Sequence, residues 1–329
     1  MEILVYMKRW TVLLTCLAAV MFSCRQFSEE KSGLFGVLLG GKLGYIDKAG
    51  KIVINPQFDG GGPFSEGLAA VVLGGRFGYI DKAGKIVINP QFDRAEPFSE
   101  GLANVNLGGK WGFVDKSGKY VINMQFDDAG KFSEGLANVN LAGKWGFIDK
   151  AGKIVINMQF DRAEPFSEGL AKVNLGGKWG FVDKSGKYVI NTQFDRAEPF
   201  SEDLANVNLG GKWGFVDKSG KIVINMQFDV AGKFSEGLAN VNLGGKWGLV
   251  DKSGKYVINP QFDFAGPFSE GLAAAVLGGK WGYIDKAGKY VINPQFDGGG
   301  PFSEGLARVN LGGREGVIDK TGRYVWNPQ

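Results

Sequence analysis

The chain has 329 residues, a formal net charge of +4, 53 glycines, two cysteines and no histidine. Both cysteines, Cys16 and Cys24, stand near the start, so the chain beyond them cannot build a Ser-His-Asp triad, a Cys/His nucleophile pair, a Cys/His zinc site or a disulfide. Acidic and basic residues alternate without a basic run, which speaks against a nucleic-acid partner; 44% hydrophobic residues suffice for a buried core.

From the start of the chain, Lys8 and Arg9 precede an apolar run of 13 residues, Trp10 to Phe22. That is too short for the roughly 20 residues of a spanning helix. A charged start, a short apolar centre and small residues near its end form an export signal. Met21-Phe22-Ser23-Cys24 resembles a relaxed bacterial lipobox, in which the cysteine becomes the first mature residue and carries lipid. A strict lipobox has Leu where Met21 stands and a small residue where Phe22 stands. Residues 1–23 are thus expected to be a signal peptide with Met7 as the better start, Cys24 the lipidation site and residues 24–33 a polar tether. The alternatives are an ordinary secreted protein and an uncleaved anchor. The expected location is the bacterial cell envelope, as an outer-membrane or periplasmic lipoprotein held to the membrane by lipid alone.

After the tether, Lys-Trp-Gly recurs every 34 residues, at Trp111-Gly112, Trp145-Gly146, Trp179-Gly180, Trp213-Gly214, Trp247-Gly248 and Trp281-Gly282. Its glycine also stands at Gly44, Gly78 and Gly316. Residues 34–329 are therefore nine copies of one unit, the mark of a stacked array or a propeller. Near-identical units make a repeated surface, whereas an active site needs residues that occur once.

The third unit shows how one copy folds. Leu102 to Leu107 alternates and ends in Gly108-Gly109, a two-residue turn whose positions accept φ > 0. Lys110 to Asp115 is the returning strand. Lys116-Ser117-Gly118 suits a type I turn closed by a bulge, and Lys119 to Asn123 is the third strand. The turns set a register of Val105 with Gly112, Ala103 with Val114, Val114 with Tyr120 and Gly112 with Ile122. One face then carries Ala103, Val105, Leu107, Val114, Tyr120 and Ile122 as core, with Gly112 allowing close approach. The other carries Leu102, Asn104, Asn106, Trp111, Phe113 and Val121. Apolar groups on both faces want partners on both sides.

The expected fold is all-β, a tandem array of three-stranded antiparallel β-meanders. Nine whole units, none split between the chain ends, favour an open twisted array, because typical propellers have about four to eight blades. A closed, propeller-like ring is the alternative.

Lys-Trp-Gly-Phe-Val-Asp-Lys-Ser-Gly-Lys, then Ile-Asn-Pro-Gln-Phe-Asp, then Phe-Ser-Glu-Gly-Leu-Ala closely resembles the WG, or KWG, repeat family. The resemblance covers residues 34 to 329. It implies a β-rich repeat frequent in bacterial envelope proteins, with no established catalytic residues and no known ligand.

Three constellations invite chemistry. Asp115-Lys-Ser-Gly118 offers one carboxylate per turn, too few for calcium's six to eight oxygens, and reads as an aspartate capping its own turn. Phe132-Ser-Glu-Gly135 has no histidine or placed lysine to activate the serine, and reads as a turn. Asp127 with Glu134 would be a carboxylate pair, yet the pair recurs in unit after unit. No enzyme, metal or cofactor is therefore expected. The remaining candidate is a ligand face of Asn106, Trp111, Asn140, Trp145, Asn174, Trp179, Asn208, Trp213, Asn242 and Trp247. Open, it would stack sugars; closed, its aromatics would pack on the next sheet and its asparagines would bond inter-unit backbone. The expected function is a non-catalytic, lipid-anchored envelope scaffold for multivalent protein contacts, with glycan or peptidoglycan binding or a structural spacer as alternatives.

Overall fold

The computed structural model describes residues 33–327. The expected signal peptide, Cys24 and all of the tether except Gly33 lie outside the described residues.

Nine antiparallel sheets follow one another along the chain. Blade 3 consists of Arg94–Ala95, Leu102–Leu107, Lys110–Asp115 and Tyr120–Phe126, hydrogen-bonded in that order. The expected meander is thus the second to fourth strands of a four-stranded blade, and the connection between units supplies a short first strand. Blade 1 is described as three strands, Phe35–Leu39, Lys42–Ile46 and Ile52–Phe58.

The local geometry follows the turn residues. Gly108 and Gly109 have φ of 62° and 80°, and the hairpin pairs Val105 with Gly112 and Ala103 with Val114. Gly118 closes the next turn at φ 86°, its N–H 2.9 Å from the Asp115 carbonyl. Val114 pairs with Tyr120 as expected, but a bulge then sets Ile122 opposite Phe113 and not Gly112. The bulge presses the fourth strand's backbone onto Gly112, where a Cβ would lie 2.5 Å from the Ile122 carbonyl oxygen.

The expected core face needs correction. Leu107 and Tyr120 are 39% and 40% exposed, whereas Phe113, Asn104 and Asn106 from the opposite face are buried. The cause is that each sheet is covered on both faces. Phe113, Ile122 and Phe126 of blade 3 form one cluster with Phe132, Ala137, Val139 and Ile148 of blade 4. The core therefore lies between blades, and one blade alone has none.

The favoured open array is wrong: the blades close into a nine-bladed propeller. From the junction of blades 2 and 3 to that of blades 8 and 9, the first-turn glutamate of one blade reaches the next. Glu100 accepts from the Gly135 N–H and pairs with Lys150 at 3.1 Å. Glu304 of blade 9 does the same to blade 1, accepting from the Gly33 N–H at 3.1 Å and pairing with Lys48 at 3.0 Å. Arg308 adds a bond to the Gly36 carbonyl. The closing junction reuses the ties of the internal ones, so no blade need be split between the chain ends.

First strands lie at the axis and fourth strands at the rim. Consecutive first-strand segments bond directly, as Ser99 Oγ to the Phe132 carbonyl at 2.8 Å. Fourth strands show their outer side chains to solvent, as at Val121 and Val155.

Candidate functional site

The Asn/Trp face is not an open strip. Asn106 pairs with Trp111 across the hairpin, and Asn140 with Trp145, Asn174 with Trp179, Asn208 with Trp213 and Asn242 with Trp247 follow suit. These five asparagines are 5–8% exposed. Asn140 and Asn242 each accept from a backbone N–H of their own hairpin at 3.2 Å. Trp111 and Trp213 are buried, and Trp145, Trp179 and Trp247 are half-buried against the next blade. Where the next blade brings an aromatic, the rings pack: Phe264 lies 5.5 Å from Trp247 and 5.3 Å from Trp281. The residues of this face are thus buried or half-buried between blades.

The asparagines that cross the junctions are a different set. Asn104 Nδ2 donates to the Ala129 carbonyl of the next blade at 2.9 Å, and Asn138, Asn206 and Asn240 repeat the bond. Lys172 stands at this position in blade 5. Its Nζ donates to the Ala197 carbonyl at 2.9 Å and sits 4.6 Å over the Trp179 ring. A buried ammonium needs such partners, and the carbonyl and π-face supply them.

The repeated carboxylates are joints. Asp115 accepts from the Ser117 hydroxyl and from the N–H groups of Ser117 and Lys119. The Ser117 bond, the largest influence, holds its carboxyl below the ordinary range. Asp127 bridges blades, pairing with Lys110 and accepting from the Ala142 N–H at 2.8 Å, and the Lys110 bond holds its carboxyl low as well. The glutamate of Phe-Ser-Glu-Gly does more than turn the chain. Glu134 sits at φ 54°, a left-handed conformation that costs an L-residue about 1 kcal/mol. It keeps that cost because its carboxylate takes the Gly169 N–H and Lys184 of the next blade. Among the described residues, no cluster of three or more His, Cys, Asp or Glu could hold a metal.

The first strands at the axis vary between the near-identical blades. The first residue of the first strand is Gly60, Arg94, Asp128, Arg162, Arg196, Val230, Phe264 and Gly298 in blades 2 to 9. Two residues on, glycine alternates with Glu96, Glu164 and Glu198. Arg94, Arg162 and Arg196 are exposed and form no ion pair among the described residues. Blades 3 to 6 thus present a charged arc, and blades 8, 9 and 2 a glycine-rich and aromatic one. This irregularity is visible in the sequence once the units are aligned. It carries no signal until the structure places it on an exposed, axis-facing strand.

Among curated proteins, no sequence matches. A crystal structure of a eukaryotic initiation factor is similar in fold, with a TM-score of 0.66 and 10% identity over 90% of this chain and 96% of that one. Hsv2p of Kluyveromyces lactis is similar at a TM-score of 0.44, with 11% identity over 72% of this chain and 96% of that one. At such identity the likeness to the initiation factor is one of fold alone. The WG containing repeat matches residues 44–77, 77–111, 111–145, 145–179, 179–213, 213–247, 247–281 and 281–314, each running from the third strand of one blade to that of the next. The match spans most of the molecule, and the chain belongs to the WG-repeat family.

Proposed function

We propose that the chain is a non-catalytic scaffold of the bacterial cell envelope, exported, lipid-anchored at Cys24, and binding a partner protein at the axis-facing edge of its ring. The observation that carries this is the placement of blade-specific side chains. The units repeat most of the ties that join them, and they differ at the first strands of blades 3 to 8, which face the axis. Identical positions hold a repeat array together, and a partner can be told from others only by positions that differ. Arginine, with its planar fork, is among the residue types enriched at protein contacts. Several blades engage one partner together, so weak contacts sum.

The test is affinity capture from detergent-solubilised native envelope, with the mature chain as bait beside an Arg94→Glu, Arg162→Glu, Arg196→Glu variant. The expected result is one or a few captured proteins, lost at least tenfold with the variant. Equal capture by both would reject the axis-facing arc. Recovery of glycan or peptidoglycan alone would reject a protein partner.

A further inference from the structure

We propose that the rim of the ring is a second binding site, for a carboxylate-bearing glycan, with one identical subsite on the fourth strand of each blade. It is separate from the axis-facing edge and does not rest on the reading above.

The fourth strand repeats Lys119, Val121, Asn123 and Gln125 without change in blades 1 to 8, and all of these side chains are exposed. Ile122 and Phe126, between and beyond them, enter the core. Alternation therefore sets the four along one side of the strand, about 7 Å apart. The fold does not account for their identity. Exposed positions usually tolerate substitution within about 0.5 kcal/mol, and the exposed turn position of Ser117 duly varies between alanine, serine and threonine. Even the core varies: the position of Phe113 holds Tyr79 in blade 2 and Leu249 in blade 7, all of them 0% exposed. Asparagine is moreover a poor strand former, yet it stands in the fourth strand of blades 1 to 8. A surface that stays fixed while the core drifts answers to something outside the fold.

The chemistry of the four side chains names the ligand class. Lys119 is the one charged residue from Lys119 to Phe126. The carboxylates on either side are engaged, Asp115 by its own turn and Asp127 by Lys110 and the Ala142 N–H. Eight lysines thus stand outward around the rim, and Arg323 takes the position in blade 9. A lysine pairs with a carboxylate. The amides of Asn123 and Gln125 both donate and accept, as sugar hydroxyls do, and Val121 offers a small apolar contact to a sugar ring.

The repetition selects a polymer. Subsites around a ring point in different directions, so a flat membrane would meet only a few of them. A folded protein would need a surface that recurs in step with the blades. A flexible chain of acidic sugars brings the same groups to every subsite, and the weak contacts sum.

Biolayer interferometry of the full chain in detergent over immobilised alginate, a uronic-acid polymer, tests this, with dextran and polyglutamate as controls. Binding to alginate is expected, with at least tenfold weaker binding to either control. Asn123→Ala, Asn157→Ala, Asn191→Ala and Asn225→Ala together leave the net charge unchanged and are expected to weaken alginate binding at least tenfold, with no change in the thermal unfolding midpoint. Lys119→Gln, Lys153→Gln, Lys187→Gln and Lys221→Gln together form a second variant with the same expected loss. No binding to alginate, equal binding to dextran or polyglutamate, or alginate binding that survives either set of substitutions overturns the proposal.

Discussion

Phe200→Ala is expected to destabilise the protein by about 3–5 kcal/mol, the usual cost of emptying a buried phenylalanine site. Phe200 is 2% exposed and lies edge-on to Phe181 of the preceding blade, centroids 4.8 Å apart. Its ring belongs to a cluster that blade 5 supplies with Leu170, Ile190 and Phe194, and blade 6 with Ala197, Ala205 and Val207. The rigid backbones of two sheets bound the space, so little of the cavity can collapse. Val189→Ala in blade 5 is the control. Val189 is 40% exposed on the rim, and its truncation is expected to stay within about 0.5 kcal/mol. Denaturant titration of both variants gives the comparison. A loss below about 1 kcal/mol at Phe200 would mean that the core does not lie between blades.

Gly180→Ala is the second large effect, about 2–3 kcal/mol from overpacking alone. The added Cβ would lie 2.5 Å from the Ile190 carbonyl oxygen and 2.7 Å from Thr192 N. Both are backbone atoms of the bulged fourth strand, so relief requires the bulge itself to unwind. Gly298→Ala serves as the comparison. Its Cβ would meet only the Asn310 side chain at 3.4 Å, and other blades carry arginine or valine at that position. A change within about 0.5 kcal/mol is expected there. Thermal unfolding of the two variants separates the cases. Equal tolerance would show that the Trp-Gly motif is not selected by this backbone contact.

The residues differ in how plainly they announce these roles. Gly108-Gly109 accepts the φ > 0 that a two-residue hairpin turn needs, so the hairpin and its register could be read directly, as could the need for a glycine at position 112. The bulge beyond Val114 could not, because nothing in Tyr120 to Ile122 marks where the ladder slips. The first strand, two residues at Arg94–Ala95, is too short to show an alternating pattern. Glu134 reads as an ordinary turn residue, since its partners Gly169 and Lys184 belong to the next unit. Closure was the hardest to see. It depends on the angle accumulated over all the junctions, and no pattern within 34 residues encodes that sum. The burial of the candidate face was hidden for the same reason. Asn106 and Trp111 were placed on the right side of the sheet, but whether that side is open depends on how closely the next blade stacks.

The closed ring is tested most directly by zero-length carbodiimide cross-linking of the monomer, with cross-linked peptides identified by mass spectrometry. Lys48 and Glu304 lie 3.0 Å apart across the seam, and Lys150 and Glu100 lie 3.1 Å apart at an internal junction. A propeller yields both cross-links within one chain. If the Lys150–Glu100 link formed and the Lys48–Glu304 link did not, blades 9 and 1 would not meet, and the ring would be open.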